Sequence, residues 1–437
     1  MGNISCDTCI LDVQIIKGVY MLKELTLHNW KSFKEATLYI DPLTIIIGTN
    51  ASGKSNMLDA LLFLQRVSSG VGIFQAINGD INLPSIRGGM EWVCHKPEKI
   101  FGITLLLDGD KKNQDYRYEL KIQINGAKAE IYSEELAILK YGKRSETQKI
   151  SRLFNTQLPE ERNPVISAYF STGTQGRGKK IDLNRSHLIL TQADTLNLRK
   201  EVQDGIKNIL LKLQQIFVFD PIPSHMRGYT PFSEKLQADG SNIAGVLAAL
   251  DKTRKDEVEG IITTYLQGLP EKDIKRIWTE PVGKFQTDAM LYCEEGWPGT
   301  ASDTIDARGM SDGTLRYLAI VTAMLTRQSG GLLVIEEVDN GLHPSRAHVL
   351  INMLRTLGQQ RGIDVIVTTH NPALLDAAGP KMIPFISVTH RDDISGESLL
   401  TQLDDIQQLP KLMASGSLGR LSSEGRIEAA LKQGEKQ

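Results

Sequence analysis

The chain has 437 residues, enough for a sizeable core and, by length, about two to three domains. Its 41% hydrophobic and 23% charged residues are ordinary for a soluble protein, and no run approaches the ~18 apolar residues of a membrane span, so a cytoplasmic protein without membrane contact is expected. A formal charge of −2, from 50 basic and 52 acidic residues, excludes a global field for nucleic acid; any such contact must come from a local patch.

Residues 1–20 lack both the basic start and the apolar centre of a secretion signal, and read as a dispensable extension. Within them Cys6 and Cys9 form a lone Cys-x-x-Cys pair with no second pair to complete a zinc site. Cys94 and Cys293 are isolated in strand-like stretches and are expected as reduced, buried thiols. From Met21 the pattern improves. Rough alternation at Leu22, Leu25, Leu27 and Trp30, then at residues 36–40 and 43–47, predicts three strands.

The third strand runs into Gly48-Thr49-Asn50-Ala51-Ser52-Gly53-Lys54-Ser55. Glycines at Gly48 and Gly53 let the backbone curl so that successive N–H groups face a phosphate. Lys54 then reaches the β- and γ-phosphates, and Ser55 can ligate magnesium. Apolar residues at helical spacing from Met57 to Val67 predict a helix over 52–68, whose positive end faces the phosphates. The ammonium of Lys54 is expected to face solvent in the absence of a ligand.

Residues 70–92 carry several glycines and little period, and read as a loop beside the site. Residues 100–107, 116–124 and 129–139, separated by turn residues that include Asn125-Gly126, predict an antiparallel meander. Residues 140–184 are polar and basic, and read as a solvated loop or a phosphate-backbone contact. Helical spacing returns at 196–213, 242–250 and 258–266; strands are expected at 216–219, 274–279 and 284–294.

Two further stretches carry chemistry. Residues 331–335 form an apolar strand that delivers Glu336 and Glu337 at its C-terminal end, where an α/β sheet presents ligands. One carboxylate can hold magnesium and the next can polarise an attacking water. Residues 362–369 form another strand ending at His370, either a structural hydrogen-bonding residue or a γ-phosphate sensor. Before both, Met310-Ser311-Asp312-Gly313-Thr314 opens an amphipathic helix over 315–325 and offers a second anion-binding helix end.

In order and content these pieces resemble the ABC-type ATPases of the SMC, RecF and OLD group, in particular its stand-alone bacterial members. The resemblance implies an α/β fold: a P-loop ABC-type ATPase head built on a mixed sheet, with an antiparallel β lobe and an inserted helical or mixed region. It divides the chain into 1–20 as extension, 21–139 as N-terminal lobe, 140–305 as inserted region and 306–437 as C-terminal lobe. Gly48, Asn50, Ser52, Gly53, Lys54 and Ser55 correspond to Walker A. Ser311 and Gly313 correspond to the signature loop, with Asp312 and Thr314 departing from its pattern. Glu336 stands at the Walker B metal position where Asp is usual, and Glu337 at the catalytic carboxylate. Asp339 falls in the D-loop and His370 at the switch histidine. A carboxylate at Asp312 would face a partner's γ-phosphate, which requires that it point away or bind an added cation. Residues 239–244, Asp239-Gly240-Ser241-Asn242-Ile243-Ala244, also look like a segment of the stand-alone members, without known chemistry.

The implied cofactors are ATP and magnesium, and the implied assembly is a homodimer or higher oligomer sharing ATP sites through the signature loop. More than half the chain separates Lys54 from Ser311, against a transporter subunit, and the interval holds no heptad run of SMC arms. The stretch after His370 is too short for the nuclease domain of an OLD enzyme. The expected function is thus an ATPase that regulates a separate effector, such as a nuclease, in anti-phage defence or DNA surveillance. The alternatives are a RecF-like DNA-binding clamp in repair, with DNA as partner, and a nucleotide-locked scaffold that turns nothing over.

Overall fold

A computed structural model describes residues 22–434 apart from 143–146, 161–162, 175, 177, 272 and 298–300. The extension with Cys6 and Cys9 lies outside the described residues.

At the centre is a six-stranded sheet in the order Ile216–Phe219, Leu332–Ile335, Asp364–Thr368, Leu43–Gly48, Ile386–Arg391 and Ser398–Gln402. The first five strands are parallel and the last is antiparallel. The strands Leu332–Ile335, Asp364–Thr368 and Leu43–Gly48 are apolar almost throughout because both faces are covered, whereas Ile386–Arg391 and Ser398–Gln402 are mixed with polar residues. Ile46, Leu332, Val334 and Ile366 face a core shared with the helix Lys54–Ser68 and an antiparallel sheet. Ile45, Ile47, Leu333, Ile335, Val365 and Val367 face a second core, formed with the helices Asp312–Thr326 and Ala347–Arg361. The predicted strands 43–47, 332–335 and 364–368 are neighbours in register, with Ile335 beside Val367 and Val367 beside Ile45. This order carries the phosphate loop, Glu336–Glu337 and His370 to one edge.

The antiparallel sheet has eight strands, in the order Phe33–Tyr39, Leu22–Trp30, Ile100–Asp108, Gln114–Asn125, Lys128–Tyr141, Thr147–Thr156, Val165–Phe170 and Lys179–Asn184. The predicted meander is its middle. The last three strands correct the reading of residues 140–184 as a loop: they are separated by polar stretches, and the last two are short, so the alternation of Ile166, Ala168 and Phe170, or of Ile181 and Leu183, is hidden in a basic segment. Residues 70–92 also contain more than loop, namely the short helices Ile73–Asn78 and Gly89–Trp92. A third sheet joins Thr230–Pro231, Asp288–Glu295, Ile274–Val282 and Asp303–Asp306. Cys94 and Cys293 are buried free thiols, as expected, and burial pushes their pKa values up to about 11 and about 12.

Asp364 opens its central strand almost fully buried. Burial lifts its pKa to about 7 against the opposing pull of Lys212, and among the described residues its Oδ1 has no hydrogen-bond partner. The folded chain therefore keeps a proton here that the unfolded chain releases near pH 4. The stabilisation from that proton is complete below the unfolded value and is lost as pH rises through about 7. Asp364→Asn is expected to raise the thermal midpoint by a few degrees at pH 8, with the gain shrinking as pH is lowered towards 4; scanning calorimetry across that range checks it.

Candidate functional site

The strand Leu43–Gly48 ends in a loop whose backbone only certain residues adopt easily. Gly48 has φ of 149°, and a Cβ there would lie 2.3 Å from the Thr389 carbonyl oxygen and from Thr389 Oγ1. Glycine is required by both conformation and space. Ala51 and Gly53 also have positive φ, at 62° and 123°. Ser52 is buried and its hydroxyl pairs with Thr389 Oγ1 at 2.6 Å, fixing the loop to the neighbouring strand. Asn50 is exposed at the loop tip.

The helix begins at Lys54, two residues later than predicted, and no side chain caps it. Its first-turn N–H groups thus face the loop interior with no preceding carbonyl to bond. Lys54 departs from expectation: it is buried, and its ammonium donates to the carbonyls of Gly48, at 2.6 Å, and Thr49, at 3.0 Å. Loop carbonyls satisfy a cation that the sequence alone leaves facing water. Burial lowers its pKa, while Glu337 and Glu336 act in the opposite direction.

Ser55 donates its hydroxyl hydrogen bond to Glu336 Oε1, so the two expected metal ligands are already together. Glu336 is also gripped by Arg87, whose Nη1 and Nη2 donate to its two oxygens at 2.9 and 3.0 Å. Burial would raise the Glu336 pKa, but the hydrogen bonds from Arg87 and Ser55 prevail and hold it below the usual value. Arg87 reaches further to Asp59 Oδ1 at 3.2 Å, and Asp59 is paired with the buried Lys31. Loop 70–92 therefore does border the site, through an arginine that sequence reasoning missed. The signal that was available is Asp59, a carboxylate in the apolar stripe of the phosphate-loop helix, which needs a cation wherever that stripe is buried.

Glu337 stands in the left-handed region, with φ of 45°, held from both sides. Its N–H donates to Thr368 Oγ1 at 2.8 Å, and Arg316 Nη2 donates to the carbonyls of Glu336, at 2.9 Å, and Glu337, at 3.0 Å. Arg316 is buried, with its other amino group on the Pro221 carbonyl. It ties the helix Asp312–Thr326 to the carboxylate pair. Asn340 Nδ2 lies 3.5 Å from Glu337 Oε2, and the neighbouring Asp339 is buried with no hydrogen-bond partner at Oδ1 among the described residues. His370 is exposed, just past the strand Asp364–Thr368, at the same sheet edge.

Ser311 and Gly313 sit apart from this cluster; among the described residues no hydrogen bond joins them to the phosphate loop. Ser311 caps the helix Asp312–Thr326, accepting from Thr314 N at 3.1 Å. Gly313 passes so close to the turn after Asp339 that a Cβ would lie 2.9 Å from the Gly341 carbonyl oxygen. The side chains of Ser311 and Asp312 are left on the surface.

The chemistry of this edge suits a nucleoside triphosphate with a hard divalent cation. An uncapped helix end, a glycine-shaped cradle and a lysine accommodate the phosphates, while a hydroxyl and one carboxylate suit a cation that completes its shell with phosphate and water. Among the described residues no three His, Cys, Asp or Glu side chains could hold a metal together, so phosphate oxygens would have to contribute.

Two families match the chain: one described as "AAA ATPase domain" over residues 21–280, and one described as "AAA domain, putative AbiEii toxin, Type IV TA system" over residues 299–376. No curated protein matches. Similar solved structures include an SmcHead bound to the C-winged helix domain of ScpA, 13% identical, with TM-score 0.49 and 88% of this chain and 99% of that chain covered. The SMC head domain from Thermotoga maritima is 15% identical, with TM-score 0.39 and coverage of 87% and 98%. An Smc head domain with an extended coiled coil, bound to the C-terminal domain of ScpA derived from Pyrococcus furiosus, is 11% identical, with TM-score 0.42 and coverage of 90% and 100%.

Proposed function

The chain belongs to the AAA ATPase domain family, and from that premise we propose that it binds ATP with magnesium and hydrolyses it in sites shared between two copies of the chain. The observation that carries this is the convergence of Lys54, Ser55, Glu336 and Glu337 at one end of the central sheet. Lys54 and the first-turn amides hold the β- and γ-phosphates, and Lys54 leaves the loop carbonyls to do so. Ser55 and Glu336 would hold magnesium, with Arg87 giving up part of its grip on Glu336, and the bound ion would supply charge neutralisation on the transferring phosphoryl group. Glu337, fixed by Thr368 and Arg316, accepts a hydrogen bond from the attacking water and orients it; His370, exposed just past the strand Asp364–Thr368, acts as sensor of the γ-phosphate. Gly48, Asn50, Ser52 and Gly53 shape the loop.

Ser311, exposed at the start of its helix, and the buried Gly313 beside it make no hydrogen bond to their own phosphate loop among the described residues, so they act on the nucleotide of a second copy, with Asp339 beside the junction. ATP binding then joins two chains and hydrolysis releases them. The match to a family described as a toxin of a type IV TA system supports a further step, in which this cycle controls a separate effector chain in defence. Steady-state turnover and sedimentation of the purified chain test the reading. Magnesium-dependent phosphate release and an ATP-dependent rise in mass are expected. An absence of nucleotide binding in the presence of magnesium would overturn it, and binding without turnover would favour the scaffold.

A further inference from the structure

The segment Asp239-Gly240-Ser241-Asn242 has no place in the chemistry above, yet it is tightly built into the fold. Asp239 accepts from Ser241 N at 3.0 Å and pairs with His225 Nδ1 at 3.0 Å. Its carbonyl accepts from Ile222 N at 2.8 Å, and the Ala238 carbonyl accepts from Asp220 N at 2.9 Å. Asn242 is buried, accepting from Gln237 N at 2.9 Å and donating to the Lys235 carbonyl at 2.8 Å. Together these bonds lock the short 3-10 helix Pro223–Arg227, with Met226 buried beneath it.

At the end of that helix Arg227 reaches into the loop before Asp312–Thr326. Its Nη1 donates to the carbonyls of Ala307, at 3.0 Å, Arg308, at 2.9 Å, and Met310, at 2.9 Å. Its Nη2 donates to Asp312 Oδ1 at 2.5 Å. One guanidinium thus binds three carbonyls of the loop and carries the counter-charge for the carboxylate that would repel a phosphate there. Arg308, the other cation of this loop, is engaged with Asp306.

We propose that Arg227 is the positioning residue of the Ser311–Gly313 loop: held by the Asp239–Asn242 segment, it neutralises Asp312 and sets the loop so that it can face a nucleotide on a second copy of the chain. This rests on the shared-site reading above. It gives residues 220–242 a task, the bracing of a surface that acts in trans. Near a triphosphate an uncompensated carboxylate opposes engagement; with Arg227 in place the pair presents no net charge.

The test uses the full chain. Arg227→Met is expected to reduce ATP turnover at least tenfold while nucleotide affinity of the isolated chain stays within about twofold, because the phosphate loop is untouched. Adding Asp312→Asn removes the charge that needed Arg227 and is expected to recover at least threefold of that loss. Loss of nucleotide affinity in Arg227→Met, or failure of the second change to recover turnover, would overturn the proposal. Arg227→Met should also recover turnover when mixed with Lys54→Ala and fail to when mixed with Ser311→Arg, which places the defect on the trans side. The shared-site reading is judged separately, by mixing Lys54→Ala with Ser311→Arg: recovery there with failure of the Asp312→Asn rescue removes Arg227's role alone.

Discussion

Glu337→Gln is expected to bind ATP and magnesium normally and to lose turnover by about a hundredfold or more, the scale of a missing general base. The backbone at this position is set by Thr368 and Arg316, whose hydrogen bonds go to the N–H and the carbonyl and are indifferent to the side chain. An amide keeps the shape, the left-handed φ and the reach of the carboxylate. What it loses is the negative charge that aligns and polarises water. With release blocked, the ATP-joined pair of chains should accumulate, so sedimentation in ATP should show a stable dimer where the unaltered chain exchanges. Turnover within threefold of the unaltered chain would remove Glu337 from the catalytic role.

Lys54→Ala is expected to lower nucleotide affinity about a hundredfold, since two charge-assisted hydrogen bonds to phosphate are worth roughly 3 kcal/mol together. The structure adds a consequence that a solvent-facing lysine would not have. The ammonium is buried and bridges the carbonyls of Gly48 and Thr49, so its removal should also loosen the empty loop and lower the thermal midpoint slightly. Titration with a fluorescent ATP analogue, beside a thermal melt, reads both effects. Unchanged affinity in a folded protein would disprove the assignment of the loop.

Four strands of the central sheet were legible because burial on both faces leaves them as apolar runs, and the chemistry-bearing residues follow those runs directly: Lys54 after residues 43–47, Glu336 and Glu337 after 332–335; the strands Ile386–Arg391 and Ser398–Gln402, mixed with polar residues, were not. The strands Val165–Phe170 and Lys179–Asn184 do alternate, at Ile166, Ala168 and Phe170 and at Ile181 and Leu183, but each is only six residues long and lies between polar, turn-rich stretches, so the alternation did not stand out. Arg87 and Arg227 were invisible for another reason. Arg87 sits in a loop and Arg227 at the end of a short 3-10 helix, and the role of each exists only through partners far along the chain, Glu336 for one and Asp312 for the other. Arg316 left a trace: it is the one charged residue between Gly313 and Leu325, a stretch buried on every side, where an arginine must find acceptors. The carboxylate at Asp312, awkward from sequence, is answered by a cation of the same chain.

ATP sites shared between two copies are tested most directly by mixing two inactive proteins. Lys54→Ala cannot hold its own nucleotide, and Ser311→Arg places a bulky cation where it would meet the partner's. In a mixed dimer one site combines the intact phosphate loop of the Ser311→Arg chain with the intact Ser311 of the Lys54→Ala chain. Each protein alone is expected to turn over little ATP, with nucleotide affinity preserved in Ser311→Arg, and the mixture is expected to recover part of the activity. No recovery despite demonstrated exchange of chains, or nucleotide affinity lost in isolated Ser311→Arg, would contradict shared sites.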